Sequence, residues 1–449
     1  MSKRQLHLNV NILSSGSHPA AWRAPDGRRF GYVDIEHYQE TARLAERGTL
    51  DAVFLADALA IAPDPRSGPS WALDPIVTIA GMAAVTEKVG FVASVSTTFN
   101  HPYNVARIFN SLDHTTRGRI AWNIVASYDE RAAPNFGLDR LPVHEDRYAR
   151  AAEFTDVVTR LWDSWEDEAL VGDRDSGLFA DPALIHRIDH QGQHFSVQGP
   201  LQLPRSPQGR SLLVQAGGSG PGRDLGARYA DAIFTVQQVF EEAAAFYLDV
   251  KARVRARGRN PDDVHILPGL SLVVASTEAE AKARKRDLDA IIGDETALKR
   301  FAGRLGVDHR ELDLDKPVPP TLLGNAFKAQ GSQGFADATI ALARDPSLTV
   351  RQIIDRGGGA HRILAGGPEQ IADTMEAWFR GGAADGFNVM FDVFPTGLRD
   401  FVDHVVPELR RRGLFRQDYE GSTLRSHYGL ARPASIFSAG AAPRRAAAG

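Results

Sequence analysis

Arg119-Ile-Ala-Trp-Asn-Ile-Val-Ala-Ser127 is the stretch whose reading decides the fold. It reads as a strand that carries a polar group, Asn123, near its C-terminal end and then runs into a loop. Five other apolar, β-rich segments end the same way, in short runs of Ser, Thr, Asp, Gln or Gly. Many strands delivering polar groups to one rim is how a parallel barrel builds a site from its βα loops.

Outward from that strand, strand and helix patterns alternate. Residues 6–12, 52–56 and 90–95 read as strands, followed by helical spacing at Ile35–Arg47, 74–86 and 103–116. Asp74 is placed to cap its helix, with Pro75 at the first helical position. On the C-terminal side a long helix is expected over 145–165. Strands follow at 212–216, 232–236, 265–275 and Gly386–Phe391, with helices after Gly222 and at 240–257 and Pro368–Arg380. Close to eight strand–helix pairs favour an α/β fold of the (β/α)8 TIM-barrel type over an open doubly wound sheet. No GxGxxG follows an early strand, as a dinucleotide-binding sheet would want.

One barrel domain over residues 1–435 is the expectation, with two insertions at its C-terminal face. Residues 163–210 are polar and rich in Gly, Pro and His, and read as an excursion over the rim. Residues 280–359 carry Pro317-Val-Pro-Pro320 and Gly357-Gly-Gly359. A long insertion on that face suits a lid or substrate wall. Residues 436–449 read as a disordered tail.

Composition narrows the function. Of 449 residues, 43% are hydrophobic and 24% charged, an ordinary globular balance. A formal charge of −4 leaves no broad basic footprint, so nucleic acid is not an expected partner. The absence of cysteine excludes disulfides, thiolate catalysis and Cys-ligated zinc or iron–sulfur centres. No apolar run approaches the roughly 18 residues of a membrane span. The start, Met1-Ser2-Lys3-Arg4-Gln5, lacks the apolar stretch of a secretory signal, and a cytoplasmic location is expected.

Several residues at strand ends and turns have both a chemical and a plain reading. Gln215-Ala-Gly-Gly-Ser-Gly-Pro-Gly-Arg-Asp224 joins a strand to a helix, and such a turn presents free N–H groups and a positive dipole end to a phosphate. Ser219 adds a hydroxyl and Arg223 a charge; a simple tight turn is the alternative. Asp57 and Asn123 are placed for hydrogen bonds to a ring or a polyol chain, or merely to cap strand ends. His144 and Tyr148, four apart, share a helix face. They reach into the rim together or form a solvated first turn. His101 and His114 read as structural and His18 is ambiguous. His186, His190 and His194 recur at fours, but Gly192 interrupts such a helix and no carboxylate triad accompanies them, so they read as structural or lid residues rather than as a metal site.

Taken together, the chain resembles the flavin-dependent monooxygenases of the bacterial luciferase superfamily, in particular the nitrilotriacetate, dibenzothiophene-sulfone and long-chain alkane monooxygenase group. The resemblance runs from about Leu6 to Pro433. It rests on Val53-Phe-Leu-Ala-Asp57, His101-Pro-Tyr-Asn-Val-Ala-Arg107, Ser111-Leu-Asp-His-Thr-Thr-Arg-Gly-Arg119 and Trp122-Asn-Ile-Val125. Arg147-Tyr148, Leu161-Trp-Asp-Ser-Trp165, Gln215-Ala-Gly217 and Pro407-Glu-Leu-Arg-Arg-Arg-Gly-Leu-Phe-Arg416 complete it. There are departures. Ser94 stands where the family usually has Thr, Ala121 precedes Trp122, and Ala126 removes a hydroxyl from the following loop.

That resemblance implies a barrel binding reduced FMN (FMNH2) from a separate NAD(P)H:FMN reductase. O2 would add to the flavin as a C4a-peroxy species and oxygenate a small organic substrate, with C–N or C–S cleavage to follow. It places FMN contacts on Asp57, Ser94, Asn123, His144, Tyr148 and Ser219, with Thr98 in addition. Ser219 and Tyr148 fall at the phosphate. His144 would hydrogen-bond the peroxide or phosphate, and His18 would lie on the substrate side. A homodimer or homotetramer is also implied. The rival readings are hydride transfer with deazaflavin F420 and a flavin-binding relative without turnover.

Overall fold

The structure, a computed structural model, describes residues 4–62, 65–69, 72–323, 333–358 and 360–438. Gly359 and residues 439–449 of the expected tail lie outside the described residues.

The first half alternates as its sequence pattern requires. β1 (His7–Asn11) leads to α1 (Ile35–Arg47), β2 (Ala52–Leu55) to α2 (Pro75–Ala83), and β3 (Gly90–Ser96) to α3 (Pro102–Thr115). β4 (Ile120–Val125) leads to α4 (His144–Trp162). Local chemistry sets the helix starts. Asp34 accepts from the Glu36 N–H at 3.0 Å, and Asp74 accepts from Ile76 and Val77 at 2.9 and 3.1 Å with Pro75 behind it. His101 caps α3 through the Tyr103 N–H, which gives that histidine its structural role.

After the small hairpin of β5 (His190–Gln191) and β6 (Ser196–Val197), the alternation resumes. β7 (Leu212–Gln215) precedes α5 (Gly220–Tyr229), and β8 (Ala232–Thr235) precedes α6 (Phe240–Ala256). β9 (His265–Val274) is followed by α7 (Glu278–Ile292), α8 (Asp294–Leu305), α9 (Gln333–Ala343) and α10 (Val350–Asp355). β10 (Arg362–Gly366), α11 (Pro368–Arg380) and β11 (Gly386–Phe391) close the pattern.

Eight strands form a closed parallel barrel in the order β11-β1-β2-β3-β4-β7-β8-β9, with β9 returning to β11. This is the (β/α)8 TIM barrel expected. Besides the β5–β6 hairpin, one strand of the main sheet was not legible in the sequence. β10 pairs in parallel with β9 over Leu270–Val274, above the stretch His265–Pro268 that holds β8. It is a ninth strand at the top of the wall rather than a stave.

Alternation along β4 separates core from site. Trp122 is fully buried among Phe109, Phe154 and Trp162 in the helix layer, and its indole N–H donates to the Val95 carbonyl at 3.1 Å. Asn123, the next residue, faces the barrel interior. The opposite, N-terminal face is pinned by ionic chemistry. Arg416 donates to Asp51 Oδ1 at 2.5 Å and to the His427 carbonyl at 2.9 Å, while the Leu8 N–H donates to Asp51 Oδ2 at 2.7 Å.

The two inserted segments take different courses. Residues 163–210 do not cover the rim: they lie against α3 and α4. His190 pairs with Glu153 at 2.9 Å, His186 with Glu166 at 2.8 Å, and Arg205 and Arg210 with the buried Asp163 at 3.1 and 2.8 Å. The carboxylates that engage these histidines are ion-pair partners at separate points. The start of the expected tail joins this cluster, for the Ile436 N–H donates to Asp163 and the Phe437 ring stacks on His186. The second insertion folds over the C-terminal rim as α7 to α10 with its own apolar centre, including Phe301, Leu305, Ile340, Val350 and Ile353.

Candidate active site

The C-terminal ends of the strands open into a cavity of about 1050 Å³. That is at the upper end for a ligand pocket and leaves room beyond a single cofactor. Asn11, Ser94, Asn123, Gln215, Phe234 and Ser271 reach it from six different strands. No residue of 163–210 lines it; the outer wall is supplied by the second insertion.

Ser94 and Asn123 are register partners on β3 and β4, so both side chains enter at the same height. Asn123 Nδ2 donates to Ser94 Oγ at 2.8 Å. Asn123 Oδ1 is buried with no partner among the described residues. A buried amide oxygen left this way costs about 1–3 kcal/mol until something donates to it. The carboxyl group of Asp57, on the same wall, is pushed up to about 6 by burial and by the nearby charge of Asp74.

Beside β4, the turn after its neighbour β7 is built for close approach. A Cβ at Gly217 would sit 2.3 Å from Gln215 Nε2, and one at Gly218 would sit 3.2 Å from the Gly334 Cα. Ser219 caps α5, its Oγ accepting from the Gly222 N–H at 3.2 Å, which leaves the hydroxyl proton to donate elsewhere. Arg223 does not face the cavity. It donates to the Gly218 carbonyl at 2.8 Å and pairs with Asp249 at 2.9 Å, and so holds the turn from behind.

His144 opens α4, and its ring centroid lies 4.8 Å from that of Tyr148, as their spacing required. Burial, with Arg147 beside it, lowers the His144 pKa, so the ring is largely neutral near pH 7. Arg147 also lines the cavity, and its Nε is buried without a partner. Sequence reasoning passed over this residue, although it stands within the Arg147-Tyr148 string that signalled the family.

His18 lines the same cavity with both ring nitrogens occupied. Nδ1 accepts from the Ala20 N–H at 3.1 Å, so the contact between Nε2 and Asp289 at 3.0 Å is a donation from His18. This ties the β1 loop to α7. Thr98 stands apart: it is buried, its Oγ1 has no partner among the described residues, and it does not line the cavity. Of the residues singled out from the sequence, the fold therefore gathers Asp57, Ser94, Asn123, His144, Tyr148, Ser219 and His18 and leaves out Thr98.

A flavin phosphate and ring fit these residues on two observations: the unpartnered Asn123 oxygen, and a glycine cradle that a single methyl would fill. Comparison with known proteins bears on the same point. The family model for luciferase-like monooxygenases matches residues 13–385. The chain belongs to the luciferase-like monooxygenase family.

Within this family the chain is 44% identical to nitrilotriacetate monooxygenase component A of Aminobacter aminovorans, over 96% of this chain and 98% of that one. It is 39% identical to dibenzothiophene-sulfone monooxygenase of Rhodococcus erythropolis (strain XP), over 96% and 98%. Among solved structures, a riboflavin lyase with modified FMN and riboflavin aligns with a TM-score of 0.83 at 32% identity, covering 95% of this chain and 96% of that one. As a luciferase-like monooxygenase, the protein is an enzyme of the flavin-using oxygenase class.

Proposed function

We propose that this chain is the oxygenase of a two-component system. It takes FMNH2 from a separate NAD(P)H:FMN reductase and uses O2 to hydroxylate a small organic substrate beside nitrogen or sulfur. One oxygen atom enters the substrate, and the other leaves as water with the two electrons and two protons of FMNH2. The new carbinol then collapses to a carbonyl compound and the freed amine or thiol. The "component A" of the nitrilotriacetate relative supports the two-component reading. Nicotinamide-dependent supply of FMNH2 suits the cytoplasm, and among the described residues no helix is long and apolar enough to cross a membrane. A homodimer or homotetramer is the assembly we propose.

The observation that carries the reading is that Asn123, Ser94, Ser219, Tyr148 and His144 all line one cavity. Reduced FMN supplies the activation of dioxygen; the protein binds, orients and shields it. Ser219 and Tyr148 donate to the phosphate, with His144 and Arg147 beside them. Asn123 Oδ1 accepts from a ring N–H, and Asp57 accepts from the ring or the ribityl chain. His18, with both nitrogens engaged, positions α7 on the substrate side rather than transferring a proton. Thr98 has no place in this scheme.

The test is oxygen uptake by the full chain with a purified FMN reductase, NADH and a panel of amines, sulfones and thioethers. Substrate-dependent uptake matched by hydroxylated or cleaved product is expected with FMN. Activity with reduced F420 in its place, and none with FMN, would refute the reading.

A further inference from the structure

Pairing within the second insertion sorts the cations of the cavity wall. Lys285 is held by Asp289 at 2.7 Å and by Asp355 at 3.1 Å. Arg351 is held by Asp294 at 2.9 Å and by Asp315 at 3.1 Å. Arg300 and Arg304, four residues apart on α8, face the same cavity as Arg286 of α7, and none of the three has a carboxylate partner among the described residues; Arg300 and Arg304 are the two that stand together on one helix. Arg304 uses Nη1 on the carbonyls of Gly357 and Gly358 at 2.8 and 2.9 Å, which fixes the arginine without neutralising it.

The surroundings sharpen this. Among the described residues, six Lys and Arg but four Asp line the cavity, in a chain whose net charge is −4. Three of those four aspartates are already engaged by Lys285, Arg351 and His18. Among the described residues, no acid offsets the charge of Arg300 or of Arg304. Next to them His361 stacks on Phe234 at 5.0 Å and meets the edge of Phe335 at 5.4 Å, and its buried Nδ1 lacks a partner among the described residues. Two uncompensated guanidinium groups above an aromatic wall form a receptor for an anion attached to a small organic body.

We infer that Arg300 and Arg304 are specificity-determining residues that bind a carboxylate of the substrate. This deepens the monooxygenase reading and rests on it. The flavin phosphate is the other source of the same chemistry, but Ser219, Tyr148 and Arg147 already surround that end. Family membership alone does not choose the substrate class, since the similar proteins are named for a tricarboxylate and for a neutral sulfone.

The experiment is calorimetric titration of the full chain, free and anaerobically loaded with FMNH2. The probes are iminodiacetate and thiodiacetate, each against its dimethyl ester. The dianions are expected to bind at least about tenfold more tightly than the esters. Arg300→Gln with Arg304→Gln should abolish that preference while FMNH2 affinity stays within about twofold, and the Lys pair should restore part of it. Esters binding as well as dianions, no dianion binding, or a double variant that keeps the preference would each overturn the inference. So would a double variant that loses FMNH2 affinity, which would assign the arginines to the flavin phosphate. Failure of the native chain to bind FMNH2 would refute the flavin reading instead, while dianion preference in the free chain would still support the anion subsite.

Discussion

Asn123 donates its amide N–H to Ser94 Oγ at 2.8 Å and keeps its oxygen buried, unpartnered and turned to the cavity. The serine fixes which end of the amide faces inward, so the acceptor is presented before any ligand arrives. Asn123→Ala is expected to weaken FMNH2 binding by roughly 1–3 kcal/mol, read by anaerobic titration. Ser94→Thr should bind as the native chain does, because the hydroxyl is kept, whereas Ser94→Ala should lose part of the affinity. Native affinity in Asn123→Ala would remove the ring from this wall.

Ser219 and Tyr148 are assigned to the phosphate, and a phosphate-free ligand separates that role from general damage. Ser219→Ala and Tyr148→Phe should each cost roughly 1 kcal/mol or more in FMNH2 affinity, with reduced riboflavin affected far less. Ser219→Ala should also lower thermal stability, because the hydroxyl caps α5. An equal loss for both flavins would place the phosphate elsewhere.

Asp57 ties cofactor binding to pH. Its carboxyl is pushed up to about 6 from an ordinary value of 3.8. As pH rises from 3.8 towards 6, the unfolded chain releases this proton while the free folded protein retains it, so folding stability is lost across that window and stays lower above it. Asp57→Asn should therefore raise the melting temperature of the free protein at pH 7–8 and change it little below pH 4. If the carboxylate is the flavin acceptor, FMNH2 affinity should fall as pH drops through about 6, and Asp57→Asn should flatten that profile. A flat profile in the native chain would count against the contact.

The N-terminal face supplies a stability test away from the cavity. Burial disfavours the Asp51 carboxylate, but Arg416 at 2.5 Å and His7 at 3.2 Å outweigh it and hold its pKa well below the usual range. Asp51→Asn leaves Arg416 buried without its counter-charge and should cost roughly 3–5 kcal/mol in urea unfolding at pH 7. Because the folded-state pKa is lowered, this contribution is present above pH 3.8 and fades as pH falls towards the folded value. Native and variant curves should converge at low pH. FMNH2 affinity should not change.

Much of this architecture was legible because local chemistry fixed it. Ile35–Arg47 and Pro368–Arg380 are helical over the residues expected, with Asp34 and Gly367-Pro368 marking their starts. Elements set by long-range partners were harder to read. The helix expected to reach residue 165 ends at Trp162, where Asp163 turns to Arg205 and Arg210. β10 is five residues long and pairs only with β9, so no alternating pattern announced it. The site divides in the same way. Asn123, Ser219 and Tyr148 sit in strings that signal strand ends, caps and helix faces. Arg300 and Arg304 do not, because residues 280–359 hold acids and bases together and only their tertiary pairing shows which charges are spare.

The central claim is that this cavity is a reduced-FMN site. Anaerobic titration of the full chain with FMNH2, in parallel with reduced riboflavin and reduced F420, tests it most directly. The account expects saturable binding of one FMNH2 per chain, clearly tighter than either alternative, and weakened in Asn123→Ala and Ser219→Ala. No binding of FMNH2, or a preference for F420, would contradict it.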